Sequence, residues 1–308
     1  MILNTGNRTD IPAFYGEWFM NRVREGFVLV RNPFVYNQVT RYQIDPQTVD
    51  VIAFCSKNPK PMLKHVDELK KFRMFWFVTI TPYGKEIEEK VPDKKEVIET
   101  FKELSDMIGH KAMSWRYDPV FISAKYTKEF HYKAFAQMAK ELQGYTDQVV
   151  VSYIDLYEKT KRNFPEAREV SKEDQIDLTK YFVAIAEKHK MKVRLCHEDP
   201  ALSIYGADVE GCFSKRVVEE AIGERLIDSR RSDARAGCNC LLNNDIGAYN
   251  SCGHLCRYCY ANYDRRLVLE NMAKHDPKSP LLIGNIEKDD IIRSVLQKSD
   301  IDDQIALF

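Results

Sequence analysis

The feature that most constrains the fold is the regular alternation of short apolar segments with longer amphipathic ones. Six segments rich in β-branched and aromatic residues predict strands, at residues 2–5, 51–55, 74–80, 113–117, 149–154 and 192–196. Four stretches with apolar residues at three- and four-residue intervals predict helices, at residues 61–72, 94–108, 128–142 and 172–189. Strands that alternate with helices in this way form a parallel sheet with helices outside it, either open or closed into a barrel.

Three further segments complete the predicted layout. We expect an extended pair at residues 27–42, an exposed polar loop at 228–237, and a helix running into a short acidic tail at 287–308. The 308 residues exceed the length of about 250 that one α/β barrel commonly needs. The predicted organisation is a (β/α) barrel body at 1–227, a cysteine-rich segment completing the barrel at 228–286, and a C-terminal helix and docking tail at 287–308.

Charge balance and hydropathy restrict the class of protein. Lys plus Arg and Asp plus Glu number 46 each, so the chain lacks the overall basic charge of many DNA-binding domains. No stretch approaches the roughly 18 apolar residues of a membrane span, and the first residues lack a signal-peptide pattern. We therefore expect a cytoplasmic protein, in which clustered cysteines bind metal or take part in catalysis rather than form disulfides.

Three cysteines near the C-terminus form the pattern C-x-x-x-C-x-x-C. Cys252, Cys256 and Cys259, here called the triplet, are soft donors suited to a soft metal centre. A structural zinc site uses four protein ligands, and an ordinary iron–sulfur site also closes every position with cysteine. Three ligands on a four-iron cluster leave one iron open to a ligand that is not protein. Such an open position predicts a catalytic site.

The residues around the triplet resemble a known family. The spacing, with Tyr258 before the last cysteine, resembles the signature of the radical S-adenosylmethionine (SAM) superfamily. The flank DIGAYNSCGHLCRYCYAN (residues 245–262) is similar to the cluster loop of the spore photoproduct lyase-like branch. The resemblance implies a [4Fe–4S] cluster on the triplet, SAM on the open iron, and a 5′-deoxyadenosyl radical that abstracts hydrogen from substrate. It also implies a partial TIM-like barrel and an electron donor such as flavodoxin or ferredoxin.

The position of the triplet departs from that superfamily, which places its cysteine loop after the first strand. A circular permutation would account for this, with residues 246–250 as the first strand and residues 2–5 as the second. Arg8, Thr9 and Asp10 would then lie where relatives contact the amino group of SAM. The chain as a whole also resembles an uncharacterised family, the domain of unknown function 1848, which carries this C-terminal cysteine arrangement.

Polar side chains follow other predicted strands as well. Arg116 and Asp118 lie at the end of the fourth strand, and Glu198 follows the sixth. Because the carboxyl ends of parallel strands form the face of an α/β barrel that hosts chemistry, we expect these residues to contact SAM or substrate. The alternative is that such residues simply begin loops, or that Arg116 and Asp118 form an ion pair at the barrel mouth.

Four more cysteines are candidates for a second site. Cys196, Cys212, Cys238 and Cys240, here called the quartet, are enough to hold an auxiliary [4Fe–4S] cluster. Zinc on the same residues is one alternative, and another is that Cys196 is a small buried hydrophobe and the others are incidental thiols. Cys196, close to Glu198 in the chain, would also be placed to donate hydrogen as a catalytic thiol.

The last five residues, Gln-Ile-Ala-Leu-Phe, resemble the Gln-Leu-x-Leu-Phe pentapeptide by which bacterial DNA polymerases and repair proteins bind the sliding clamp. In such a tail Ile305, Leu307 and Phe308 would enter an apolar groove, and Gln304 would hydrogen-bond at its entrance. The alternative is that the apolar residues fold back onto the barrel.

Together, the tail and the triplet indicate a radical enzyme that acts on damaged or modified DNA and is recruited by the clamp. A local basic patch would contact the DNA, for example Lys57, Lys60, Lys64, Lys70, Lys71 and Arg73. The same residues permit two other functions. One is a radical SAM enzyme acting on a small molecule or peptide, and the other is a non-enzymatic module that binds zinc or an iron–sulfur cluster.

Overall fold

A computed structural model describes residues 1–227 and 238–302 of the chain, which form two sheets and surrounding helices. The strands, in chain order, are β1 (Ile2–Asn4), β2 (Phe27–Arg31), β3 (Gln38–Gln43), β4 (Val51–Ser56), β5 (Met74–Thr79), β6 (Met113–Val120), β7 (Gln148–Tyr153), β8 (Lys192–Leu195) and β9 (Ile291–Ser294). Six of them form one parallel sheet in the order β1-β4-β5-β6-β7-β8. The α/β class and all six predicted strands are confirmed.

The helices lie between these strands along the chain. They are α1 (Ile11–Phe14), α2 (Gly16–Glu25), α3 (Val66–Leu69), α4 (Lys94–Ile108), α5 (Lys128–Leu142), α6 (Glu158–Asn163), α7 (Lys172–Lys188), α8 (Lys215–Ile222) and α9 (Arg265–Ala273). Several helices begin at a residue whose side chain caps the first turn. At the start of α4, for example, the Asp93 carboxylate accepts a hydrogen bond from Lys95 N at 2.9 Å. Among the described helices, none is long and apolar enough to cross a membrane.

The large sheet is covered on both faces. In β5, Phe75 and Phe77 belong to one cluster of buried side chains, whereas Trp76 and Val78 belong to another. The two sets differ because successive side chains of a strand point to opposite faces. Most of the helices cover the Trp76 face, while α8 and the segment at 238–242 cover the Phe75 face. Continuous apolar runs such as that of β5 are therefore required at the centre of this parallel sheet.

The helix predicted at residues 61–72 is wrong in length and type. The chain forms a 3-10 helix over Lys60–His65 and then the single turn α3. Met62, Val66 and Leu69 are fully buried. Tertiary packing of these side chains therefore determines the backbone conformation here and overrides intrinsic helix propensity.

The smaller sheet contains β2, β3 and β9. The antiparallel pair β2 and β3 confirms the extended pair predicted at 27–42, and β9 adds to β3 in parallel. The helix predicted at 287–308 is therefore wrong over Ile291–Ser294. Arg31 of β2 forms an ion pair with Asp290, which holds the chain at the start of β9 against the sheet edge. The β-branched residues of β9 also suit a strand.

The segment before the triplet extends the large sheet beside β1. Asn4 forms a parallel bridge with Asp245, and Ile246 N donates to Asn4 O at 3.0 Å. Asn244 also pairs with β1, since Asn4 N donates to Asn244 O at 3.2 Å, but no regular strand forms at 246–250. The strand predicted at 246–250 is therefore wrong, and the neighbour of β1 is a short parallel contact at residues 244–246.

The other edge of the sheet is extended in the same way. Leu195 N, in β8, donates to Asp208 O at 2.7 Å. The chain that follows Asp208 then meets the chain that precedes Asp245, since Leu241 N donates to Phe213 O at 2.9 Å. Across the described residues the hydrogen-bonded sheet remains open, so a closed barrel is not formed.

Candidate functional site

The triplet loop, residues 252–259, lies at the carboxyl edge of the large sheet. His254 Nε2 lies 2.8 Å from Oδ2 of Asp10, which follows β1. Tyr258 OH donates to Glu88, which lies between β5 and α4. Because β4 lies between β1 and β5, the loop spans three neighbouring strand ends.

Backbone contacts fasten the triplet loop to the segment at 87–90. The contacts are Arg257 N to Ile87 O at 2.9 Å, Lys90 N to His254 O at 3.0 Å, and an antiparallel bridge between Glu88 and Cys256. The backbone that carries the three cysteines is thus held by main-chain bonds to a neighbouring loop, independently of the thiols.

Asp10 ties the triplet loop to two other segments. Its carboxylate accepts from Ala13 N at 3.0 Å, from Lys57 N at 2.8 Å, and contacts His254 Nε2. These bonds use Asp10 to cap α1 and to position His254. The predicted contact of Asp10 with SAM would have to compete with them.

Glu88 is the centre of a charge network beside the triplet. Its side chain is 1% exposed and forms ion pairs with Lys57 at 2.8 Å and with Lys94, while Thr81 Oγ1 donates to it at 2.6 Å. Burial alone raises the pKa of Glu88, but Lys57 and Lys94 outweigh burial and lower this pKa to about 2. Two ammonium groups against one carboxylate leave one net positive charge here.

The triplet thiols are half-buried, and burial raises the pKa of each. As they stand, no three His, Cys, Asp or Glu side chains in 1–227 and 238–302 form a ready-made metal site. Three soft donors on one loop nevertheless fit a soft metal centre in their chemistry. At the same loop His254 Nδ1 and Asn262 Oδ1 are buried without a hydrogen-bond partner among the described atoms.

Arg8 and Thr9 differ in what their side chains contact. Arg8 forms an ion pair with Asp245 and donates from Nη2 to Asp245 O at 2.5 Å, so it holds the segment before the triplet against β1. Thr9 Oγ1 is buried and has no hydrogen-bond partner in the described part of the chain. Among residues 8–10, the side chain of Thr9 is therefore the one with unused hydrogen-bonding capacity.

Arg116 and Asp118 form the ion pair that was the alternative expectation, with Nε to Oδ2 at 2.9 Å. Burial raises the pKa of Asp118 above its ordinary value, although Arg116 acts in the opposite direction. Arg116 Nη2 also lies 3.6 Å from Cys196 Sγ. Arg116 therefore connects this ion pair to the quartet.

Glu198 lies at the same edge, after β8. Its carboxylate accepts from Ser152 Oγ at 2.9 Å and from Tyr153 N at 2.8 Å, which fixes it to the end of β7. Burial raises the pKa of Glu198 to about 8.

The quartet is brought together from three separate segments. Cys212 Sγ lies 3.5 Å from Cys196 Sγ and 3.1 Å from Cys240 Sγ, and the Cys240 thiol also interacts with that of Cys238. None of the eight cysteines, all of which lie in the described residues, is part of a disulfide. The thiol of Cys240 and the backbone N–H of Cys240 lower the pKa of Cys238 to about 6.

Two predicted features lie outside the described residues. These are the loop at 228–237 and the partner-binding tail, Gln304, Ile305, Leu307 and Phe308.

Sequence reasoning missed Glu88 and Lys94 and interpreted Lys57 as part of a surface patch. Glu88 lies in the stretch Glu-Ile-Glu-Glu-Lys, which has the composition of a solvated surface. Its partners lie 31 residues earlier and 6 residues later, so only the fold brings the network together.

Comparison with known proteins gives one match. The model of the family described as "Domain of unknown function (DUF1848)" matches residues 2–261. No curated protein and no solved structure matches the chain.

Proposed function

Because the chain belongs to the DUF1848 family, whose description names no activity, we propose a function from its own residues: a radical SAM iron–sulfur enzyme. Cys252, Cys256 and Cys259 would hold its catalytic [4Fe–4S] cluster. The observation that carries this proposal is a fixed loop that presents three cysteines at the carboxyl edge of a parallel sheet. The number of these cysteines supports it, because three thiolates leave one position of a four-iron cluster for a ligand that is not protein.

When bound, the cluster would supply the electron that cleaves SAM reductively into methionine and a 5′-deoxyadenosyl radical. The chain's own residues would bind and orient the reactants. Lys57 and Lys94 place positive charge near Cys256, whose thiol would become an anionic thiolate on binding metal. Asp10 and His254 fix the loop, and Thr9 offers a buried hydroxyl close to it.

The fold of this enzyme is proposed to be a circularly permuted partial barrel. The parallel contact of Asp245 with Asn4 supports this arrangement, because it puts the chain entering the triplet loop next to β1. Residues 244–246 would then serve as the first strand, and β1 as the second.

The proposed substrate is damaged or modified DNA in the cytoplasm, with delivery by the sliding clamp and electrons from flavodoxin or ferredoxin. The sequence of the tail, Gln304 to Phe308, supports clamp binding. A pull-down of the clamp by wild type, lost on removal of residues 304–308, tests this part separately.

A small molecule or peptide is the second candidate substrate. Four of the six cations of the expected DNA-binding patch are already in ion pairs. The pairs are Lys57 with Glu88, Lys60 with Glu96, Lys70 with Asp67 and Arg73 with Glu224. Their pairing reduces the positive charge that a phosphate backbone would meet. Failure of clamp binding with SAM cleavage intact would favour this candidate.

The decisive experiment compares wild type with Cys252→Ala/Cys256→Ala/Cys259→Ala after anaerobic reconstitution. Iron, sulfide and 5′-deoxyadenosine are measured after addition of dithionite and SAM. We expect the variant to lack about four irons relative to wild type and to form no deoxyadenosine. Cys55→Ser, which removes a cysteine outside the triplet and the quartet, should keep both. Zinc at the triplet, or iron without SAM cleavage, would contradict the proposal.

A further inference from the structure

The quartet forms a second thiol-rich site that the proposed activity does not use. We infer that Cys196, Cys212, Cys238 and Cys240 bind a single zinc ion that fastens the two edges of the open parallel sheet to one another. The inference is independent of the chemistry proposed for the triplet. Its support comes from sulfur spacing, from the origin of the three segments, and from the surroundings of the thiols.

The two sulfur distances from Cys212 exclude a disulfide at that thiol and are close to the spacing that a single zinc ion requires. Cys212 Sγ lies 3.1 Å and 3.5 Å from the sulfurs of Cys240 and Cys196, compared with about 2.05 Å in a disulfide. A tetrahedral zinc site with Zn–S bonds of about 2.3 Å separates its sulfurs by about 3.8 Å. To surround zinc, Cys212 would have to separate from Cys196 by about 0.3 Å and from Cys240 by about 0.7 Å.

A four-iron cluster would require a much larger displacement. Each thiolate of such a cluster binds a different iron at a corner of the cluster, so the whole cluster lies between the sulfurs. Sulfurs already in mutual contact leave no such space unless their side chains turn away from one another. The spacing of the quartet therefore favours zinc over the auxiliary [4Fe–4S] cluster.

The quartet lies where the two edges of the sheet approach each other. Cys196 follows β8, Cys212 follows the segment that extends the β8 edge, and Cys240 precedes the segment that extends the β1 edge. Beside them, Leu241 N donates to Phe213 O at 2.9 Å. A metal ion bound here would thus connect segments that few hydrogen bonds join.

The surroundings suit a site that serves structure. Cys196, Cys212 and Cys240 are buried in a cluster with Phe213, Val217 and Leu241, in which an unpaired thiolate charge would be costly. Arg116 Nη2 lies 3.6 Å from Cys196 Sγ and supplies a positive charge towards a zinc tetrathiolate of net charge −2. All four ligand positions are cysteines, as in closed structural zinc sites.

The test uses the triplet variant Cys252→Ala/Cys256→Ala/Cys259→Ala, which keeps the quartet intact. Protein purified from zinc-replete cells is analysed for metal and by zinc-edge X-ray absorption. We expect about one zinc per chain, with four sulfur neighbours at about 2.3 Å. Cys212→Ser/Cys240→Ser in the same background should reduce zinc to background level, while Cys55→Ser should not. Cobalt(II) should replace the zinc and give thiolate-to-cobalt charge-transfer bands.

Three outcomes would overturn the inference: no stoichiometric metal in the triplet variant, iron with acid-labile sulfide in place of zinc, or a zinc shell with nitrogen or oxygen ligands. The X-ray measurement needs no quartet substitution, so misfolding of the double variant leaves it decisive. Formation of deoxyadenosine by wild type is measured separately, so failure here is distinguishable from failure of the proposed enzyme.

Discussion

The triplet and the quartet contain the same kind of side chain in opposite settings. The triplet comes from one loop of eight residues, held by backbone bonds and surrounded by charged groups such as Glu88 and Lys57. The quartet comes from three distant segments, its sulfurs contact one another, and most of its neighbours are apolar.

This difference indicates which cysteine group can exchange ligands and which group must retain its metal. A loop whose backbone is fixed without its thiols can change ligands and keep its shape, as a catalytic centre requires. Thiols that themselves join distant segments cannot lose their metal without freeing those segments. We therefore expect the triplet to affect activity far more than stability, and the quartet to affect stability first.

The largest predicted effect is the loss of stability on removal of the quartet. Structural zinc sites contribute on the order of 10 kcal/mol of apparent binding free energy, so Cys212→Ala/Cys240→Ala should lower the free energy of unfolding by at least about 4 kcal/mol. The midpoint of thermal unfolding should fall by about 10 °C. Circular dichroism of the zinc-loaded proteins measures this midpoint.

The triplet variant Cys252→Ala/Cys256→Ala/Cys259→Ala is the matched comparison. Compared with wild type free of iron, it should unfold within about 3 °C of the same midpoint, because main-chain bonds hold the loop. Equal losses in the two variants would remove the distinction between the groups.

The second prediction concerns the charge network around Glu88, which lies beside the triplet. Glu88→Gln leaves Lys57 and Lys94 without their carboxylate in a partly buried place, so we expect a loss of about 3 kcal/mol in the free energy of unfolding. Urea unfolding of the iron-free protein measures it. Glu89→Gln, at the exposed neighbouring pair with Arg265, should change the same quantity by under about 0.5 kcal/mol. A small effect at Glu88 would mean that the loop does not depend on this network.

The difference between ligands from one loop and ligands from distant segments also explains which features could be predicted from the sequence. The triplet could be found because its ligands lie within one short loop, and the strands because runs such as Val149 to Val151 are continuously apolar. The quartet was grouped by counting the remaining cysteines, since nothing local connects Cys196 to Cys240. Their mutual contact, and hence the preference for zinc, depends on the fold.

The errors have the same origin. Residues 287–308 were predicted to form a helix, but the partner strand β3 lies about 250 residues earlier in the chain, and pairing with it fixes β9. Nothing in the sequence around Glu88 indicated that this residue is buried, because its partner Lys57 follows a different strand. Contacts between distant segments decided each case.

The smallest predicted effect is a pH dependence of the free energy of unfolding that arises from His131, which is part of neither cysteine group. His131 is fully buried, with Nδ1 2.8 Å from Tyr117 OH and Nε2 2.9 Å from Phe121 O. Burial lowers the pKa of His131 from 6.5 to about 4, so the unfolded chain binds the proton more tightly. The stability of the neutral form is complete above pH 6.5 and is lost as pH falls towards 4.

Between pH 7.5 and 5.5, His131 should therefore remove about 1 kcal/mol from the free energy of unfolding. Urea titrations of the triplet variant at the two pH values measure this loss. In that background His131→Gln should abolish the loss attributed to His131, whereas His110→Gln, at an exposed histidine, should leave it unchanged. If the loss persists in His131→Gln, the dependence arises elsewhere, and thiols of the quartet that bind protons as zinc leaves become its source. The pH profile would then measure the quartet itself and separate it further from the triplet.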